Sequence, residues 1–223
     1  MLFVAGELSE TRGGPPVFPE INLEAALQPR HIMGSLAPIY RPSPTREQRN
    51  RRTIYTVQIR SLLNPVLEVF NCPNTTTSLE KREATIVTPQ VFALFNSKNA
   101  HDSALAMARR ISATTKRQTK QIEQAFVLAY GRKPTSQEKK LCEKHMSEML
   151  AHHRATKPVD FEFPKSVTRT MVEEMTGEPF EFTEDWTEKY QPNLRPSEVP
   201  AETRALADLC LVLLNSNEFV YLE

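Results

Sequence analysis

The chain has 223 residues, of which 39% are hydrophobic and 25% are charged, and its formal net charge is only +1. A charge so close to zero provides no overall field that would attract nucleic acid or an anionic membrane. The three cysteines are widely spaced, so the sequence predicts neither a disulfide framework nor a zinc site. No segment approaches the ~20 consecutive apolar residues that span a bilayer.

The first third of the chain is predicted to be irregular. Residues 1–8 are typical of the end of an amphipathic helix rather than of a secretory signal. Residues 13–45 contain many prolines, which exclude a long continuous helix. Residues 52–60 alternate as a strand does, but the same residues could form one face of a helix that ends at residues 64–65. The polar residues 71–78 are expected to form a loop.

Helix signals dominate from Thr88 onward. Thr88 is predicted to be an N-cap with Pro89 at the first helical position. Gly131 offers a left-handed residue at which a helix ends, and Thr135 and Glu138 form a capping box that begins the next. Together with apolar residues spaced three and four apart, these signals predict helices at 89–96, 98–112, 116–130, 136–154 and 201–215 around one core.

The segment before the last helix has no clear periodicity. Residues 157–200 contain six prolines among acidic and aromatic residues, and we expect an irregular insertion held over the helices by its aromatic rings. The predicted fold class is therefore mainly α, an irregular multi-helix bundle with long Pro-rich loops. We expect one domain over residues 1–223, divided into an irregular wrap (13–80), a helical core (88–154), the insertion (157–200), and a C-terminal helix and tail (201–223).

An arginine cluster is the strongest candidate site, and it consists of Arg46, Arg49, Arg51 and Arg52. Residues 41–60 carry six arginines and only one carboxylate, Glu47. Because guanidinium groups bind phosphate, sulfate and carboxylate through paired hydrogen bonds, one hypothesis is an anion site. The alternative is that these arginines pair internally with Glu80, Glu83 or the acidic 173–188 segment, and so hold irregular loops against the helices.

Other patterns give weaker signals. His145, Met149 and His152 share one helix face, but no third ligand follows at a suitable spacing, so no metal site is predicted. Cys72 has no neighbouring base, and no nucleophile-elbow motif is present. The paired carboxylates of the 173–188 segment lie among like charges, which is typical of a solvated surface rather than of acid–base catalysis. Few aromatic residues alternate with the arginines, so nucleic-acid binding is not expected.

The chain resembles the planctomycete C-terminal domain of unknown function (the DUF1553 family), which occurs in cytochrome-c-associated planctomycete proteins. The resemblance rests on six segments that keep the order of the family: 13–17, 51–56, 67–70, 88–96, 125–135 and 206–221. Residues 71–73, Asn-Cys-Pro, depart from the acidic residue that family members carry there. The domain of the family extends well upstream of residue 13, so we expect this chain to be a fragment.

The resemblance implies an exported protein, located in the periplasm or at the cell surface. Haem belongs to upstream segments of full-length relatives, so no cofactor is expected in this chain. The partners would be proteins or upstream domains of the same parent, with an anionic glycan as a further candidate. We expect a non-catalytic structural or interaction module of a larger exported, cytochrome-c-associated protein. The alternative is a hydrolase or redox enzyme that acts on sulfated polysaccharide, with the arginine-rich loop holding the anion.

Overall fold

The computed structural model describes residues 1–28, 30–32, 35–73, 80–81, 88–162, 164–186 and 189–221. Within these residues the helices and strands follow one another in chain order. They are α1 (Leu2–Ala5), α2 (Leu23–Leu27), β1 (His31–Ile32), β2 (Ser35–Leu36), α3 (Arg46–Arg49), α4 (Pro65–Val69), α5 (Thr88–Asn96), α6 (Lys98–Thr114), α7 (Gln118–Tyr130), α8 (Ser136–Ala155), β3 (Ser166–Val172), β4 (Pro179–Asp185), α9 (Ala201–Leu214) and α10 (Asn217–Val220).

The main hydrophobic core lies between the long helices. α6 and α9 form its centre, and α7 and α8 pack around them. Its largest fully buried side chains include Met107, Ile111, Ile122, Leu206 and Leu214. All five predicted helices are confirmed, and their predicted ends differ from the observed ends by at most two residues. The helical amphipathic spacing therefore located the core correctly.

Local capping signals explain where the helices begin and end. Ser97 accepts a hydrogen bond from the backbone of Ala100 at the start of α6. Gly131, with φ 71°, ends α7 as predicted. Thr135 and Glu138 form the predicted capping box at the start of α8. Thr88 begins α5, but its side chain, and with it the predicted N-cap, lies outside the described residues.

The capping carboxylate of α8 is also an ion-pair partner. Arg132 donates to both oxygens of Glu138, at 3.0 and 2.7 Å, and to Glu218 near the C-terminus. These bonds from Arg132, followed by the bond from the backbone of Thr135, lower the pKa of Glu138 from 4.5 to about 2. The charged carboxylate is therefore favoured in the folded state.

We expect this carboxylate to make stability depend on acid pH. Because folding lowers the pKa of Glu138, its ionised carboxylate stabilises the folded state fully above pH 4.5, the pKa in the unfolded chain. This stabilisation is lost as the pH falls toward about 2, the pKa in the folded chain. Glu138→Gln should therefore flatten the loss of stability that urea unfolding detects between pH 5 and pH 2. Glu148→Gln, at an exposed position of the same helix, should leave the pH profile unchanged. Equal profiles for wild type and Glu138→Gln would contradict this account.

The predicted fold class is wrong, because the chain forms a helix-rich mixed α/β structure rather than a mainly α bundle. About 51% of the residues are helical, and β3 and β4 pair as an antiparallel hairpin from Ser166↔Asp185 to Val172↔Pro179. The predicted irregular insertion is therefore also wrong over residues 166–185. The physical reason is local: β3 is rich in Val and Thr, whose branched side chains favour strands, and Gly177 (φ 73°) completes the turn.

A second, smaller core joins the wrap to the base of the hairpin. Ala26, Ile39, Tyr40 and Trp186 are buried together there. Trp186 thus holds the insertion against the body by an aromatic ring, whereas Phe161, Phe180 and Phe182 remain about half exposed and Phe163 lies outside the described residues.

Residues 52–60 form neither the continuous strand nor the helix that their sequence allowed. A single 3-10 turn occupies Thr53–Tyr55, followed by an isolated bridge between Thr56 and Val17. Asn64 then caps α4 by accepting a hydrogen bond from the backbone of Val66, with Pro65 at the first helical position. The residues between α3 and α4 are thus held by isolated contacts.

Candidate functional site

The predicted arginine cluster lies at a cavity of about 260 Å³ between the wrap and α6. Thr45 and Gln48 form a capping box that begins α3, and this single turn places Arg46 and Arg49 at the cavity wall. Arg51 follows at the same wall, whereas Arg52 is exposed and does not line the cavity. The structure therefore brings together three of the four predicted residues.

Arg49 is 4% exposed, and its guanidinium is surrounded by oxygen acceptors. Its Nη1 donates to the carbonyl oxygens of Ser43 and Pro44, at 2.9 and 2.8 Å. Its Nη2 donates to the carbonyl oxygen of Gln191 and to Asn193 Oδ1, at 2.6 and 2.9 Å. The guanidinium also lies 4.5 Å from the centre of the Tyr190 ring. Arg49 thus binds the 190–193 segment to the start of α3.

Arg51 likewise binds main-chain carbonyl oxygens, in this case those of a loop closer to the N-terminus. Its terminal nitrogens donate to the carbonyl oxygens of Thr11, Gly13 and Pro15, and its guanidinium lies 4.1 Å from the centre of the Tyr55 ring. Arg51 therefore holds a loop that contains two positive-φ glycines and has little regular hydrogen bonding of its own.

Within the described residues, Arg46 forms fewer hydrogen bonds than Arg49 or Arg51. Its Nε donates to the carbonyl oxygen of Pro192 at 2.9 Å, and in the described part of the chain no hydrogen bond is formed by its two terminal nitrogens. Of the predicted carboxylate partners, Glu80 is exposed and Glu83 lies outside the described residues. Within the described residues, none of the four predicted arginines pairs with the 173–188 segment, although Arg41, which precedes them in the chain, has its Nη2 3.7 Å from Glu184.

A polar network of Glu20, Lys98, Asp102, Tyr190 and Asn193 lies beside Arg49. The side-chain nitrogen of Asn193 donates to Glu20 and to Asp102, at 2.7 Å each. Lys98 Nζ lies 2.6 Å from Asp102 and 3.3 Å from Glu20. Tyr190 donates its hydroxyl proton to Glu20. Burial, together with the carboxylate of Glu20, raises the pKa of Tyr190, so its phenol remains protonated as a donor.

Most of the positive charge around the cavity is compensated. Arg46, Arg49 and Arg51 face three carboxylates at the same wall, which belong to Glu7, Glu20 and Asp102. Lys98 also pairs with Glu20 and Asp102, so four cations face three carboxylates and only a small excess of positive charge remains. Burial also lowers the pKa of Arg49, although Tyr190 and Glu20 partly oppose this effect.

Sequence reasoning missed the carboxylates and amide of this site. Lys98 and Asp102 lie four apart on α6, which is a recognisable helix pair. Glu20 and Asn193 gave no signal, because they are separated from Asp102 by long stretches of chain and meet only in the folded structure.

The histidines and cysteines whose side chains the structure describes form no comparable centre. Within the described residues, no group of three or more His, Cys, Asp or Glu could hold a metal ion. His153 instead lies 2.6 Å from Asp208, joining α8 to α9. Burial raises the pKa of the Cys142 and Cys210 thiols, which keeps them protonated. No helix in the described chain combines the length and apolar character needed to cross a bilayer.

Comparison with known proteins gives a family. A family model described as "PSD1: Protein of unknown function (DUF1553)" matches residues 1–146. No curated protein and no solved structure matches the chain. The matched residues include all three arginines of the cavity and most of the helical core, and they make up more than half of the chain. The chain belongs to the DUF1553 family.

Proposed function

We propose that this chain is a non-catalytic structural or interaction module of a larger exported, cytochrome-c-associated protein. The observation that carries the proposal is the use of Arg49 and Arg51, whose terminal nitrogens bind main-chain carbonyls. Buried guanidinium groups that satisfy loop carbonyls stabilise irregular backbone, since unpaired buried carbonyls are costly. On this proposal Arg49 and Arg51 stabilise the fold rather than bind an external ligand.

The network at the cavity supports the same proposal. Its two carboxylates, Glu20 and Asp102, are bonded to Lys98 and Asn193, and its phenol is held protonated. A general acid–base pair needs groups that exchange protons near the working pH, and a nucleophile needs an adjacent base. The network instead resembles a set of satisfied structural contacts.

One observation favours the alternative, an enzyme acting on sulfated polysaccharide. Arg46 lines the cavity, and its two terminal nitrogens form no hydrogen bond within the described residues. A sulfate group could accept hydrogen bonds from both nitrogens, because guanidinium and oxyanion geometries match. Arg46 is therefore the residue on which the two proposals make different predictions.

A binding titration separates the two proposals. The chain is titrated with a sulfated glycan and with single-stranded DNA across a salt series, and release of reducing ends is followed in parallel. The module proposal predicts that no reducing ends are released at 150 mM salt, about the physiological value, whether or not glycan binds. Release of reducing ends, with saturable glycan binding that is lost in Arg46→Gln and retained in Arg52→Gln, would overturn it and support the enzyme.

The exported, cytochrome-associated context rests on the family resemblance and has its own test. Genomic DNA upstream of the codon for Met1 is sequenced in frame. We expect an open frame that continues into a haem-binding motif and an export signal. An in-frame stop codon close upstream would contradict the proposed parent protein.

A further inference from the structure

The tip of the β3–β4 hairpin exposes an apolar patch. We define the hairpin tip as Met171, Met175, Phe180 and Phe182. Met175 is 91% exposed, and the two phenylalanines are 46% and 45% exposed. Large apolar side chains that cluster at a surface, rather than occurring singly, mark sites of association.

Strand register places three of these side chains on one face. Directly paired residues of an antiparallel hairpin point to the same side, and side chains alternate along each strand. Met171 pairs with Phe180, and Arg169 pairs with Phe182. One face of the hairpin therefore carries the buried pair of Arg169 and Glu184 near its base. The same face carries the half-exposed rings of Phe180 and Phe182 nearer the tip.

The hairpin is also strongly acidic. Residues 166–185 contain six carboxylates and a single cation, Arg169, which gives a net charge of −5. Arg169 is only 8% exposed and is paired with Glu184, which is also buried. The charges that reach solvent are therefore all negative, and they belong to Glu173, Glu174, Glu178, Glu181 and Asp185.

We propose that the hairpin tip docks against a positively charged protein surface that carries an apolar patch of its own. This inference rests on the proposed interaction function and names the surface that would perform it. Apolar centres bordered by complementary charge are typical of protein interfaces, where the charges steer association and the aromatic side chains contribute most of the affinity. A symmetric pairing of two hairpin tips does not fit, because two hairpins of charge −5 repel each other.

The test uses the full chain and a basic c-type cytochrome as the probe, titrated by calorimetry at low and physiological salt. The matched control probe is the same cytochrome after succinylation of its lysines, which reverses their charge. Two variants address the surface independently: Phe180→Ser with Phe182→Ser removes apolar area, and Glu174→Gln with Glu178→Gln and Glu181→Gln removes charge. Val127→Ser, at a 48% exposed position of α7, is the control variant.

We expect wild type and Val127→Ser to bind the basic probe more weakly as salt increases, and neither to bind the succinylated form. Each hairpin variant should bind at least about tenfold more weakly than wild type. Equal binding by wild type and both hairpin variants would overturn the hairpin tip as the docking surface but leave the interaction function standing. No binding by wild type at low salt would overturn the docking inference and leave the non-catalytic function to its own test.

Discussion

Arg49→Ala is expected to lower the free energy of unfolding by about 3–5 kcal/mol. Alanine would remove four hydrogen bonds at once, leaving the carbonyl oxygens of Ser43 and Gln191 without their donor, whereas that of Pro44 still accepts from the backbone N–H of Gln191. It would also remove the cation that stacks on Tyr190 and lies near Glu20. Buried acceptors without donors are costly, and Glu20 would keep Lys98 but lose the nearby charge of Arg49, so the losses combine.

The control for this prediction is Arg52→Ala, three residues along the chain. Because Arg52 is exposed, its loss should change the free energy of unfolding by no more than about 0.5 kcal/mol. Arg49→Lys should fall between these values, since lysine keeps the charge but cannot reach several carbonyls with one planar group. Urea unfolding followed by circular dichroism measures all three. A small effect of Arg49→Ala would contradict the structural role of the cluster.

Glu184→Leu is expected to destabilise the base of the hairpin by about 3–5 kcal/mol. The substitution leaves Arg169 buried without its carboxylate, and it removes the acceptor of the Ile39 backbone N–H, which lies 3.2 Å from Glu184. The double variant Arg169→Met with Glu184→Leu should be about 2 kcal/mol more stable than Glu184→Leu, because it leaves no unpaired buried charge, although the Ile39 N–H lacks its acceptor in both variants.

The single tryptophan reports this change directly. Trp186 is 5% exposed and follows β4 in the second core. Its fluorescence should shift toward the solvent-exposed wavelength at lower urea in Glu184→Leu than in the double variant. Equal destabilisation of the single and double variants would show that the ion pair is not the main contact at the hairpin base.

Local signals in the sequence predicted the helices well. Gly131, Thr135 and Glu138 act on backbone groups within a few residues of themselves, so their effect is visible in the linear order. The spacing of Leu206, Leu209 and Leu213 likewise determines the buried face of α9 without reference to another part of the chain. Such features are largely independent of tertiary context.

Neither the hairpin nor the arginine contacts could be predicted from local side-chain patterns. Arg169 and Glu184 lie at inward positions of the strands, where an apolar residue would have produced the usual alternation. The main acceptors for Arg49 and Arg51 are main-chain carbonyl oxygens, which every residue has, so no side-chain pattern identifies Gln191 or Gly13 as a partner. The cluster was found from its composition, but its bonds depend on the fold.

The most direct test of the account follows the Arg49 guanidinium by ¹⁵N NMR while sulfate is added at constant ionic strength. The four hydrogen bonds that Nη1 and Nη2 donate should slow rotation of the group, so we predict separate Nη signals that do not move with sulfate. A single averaged Nη signal, or signals that shift saturably as sulfate binds, would contradict the claim that this arginine belongs to the scaffold.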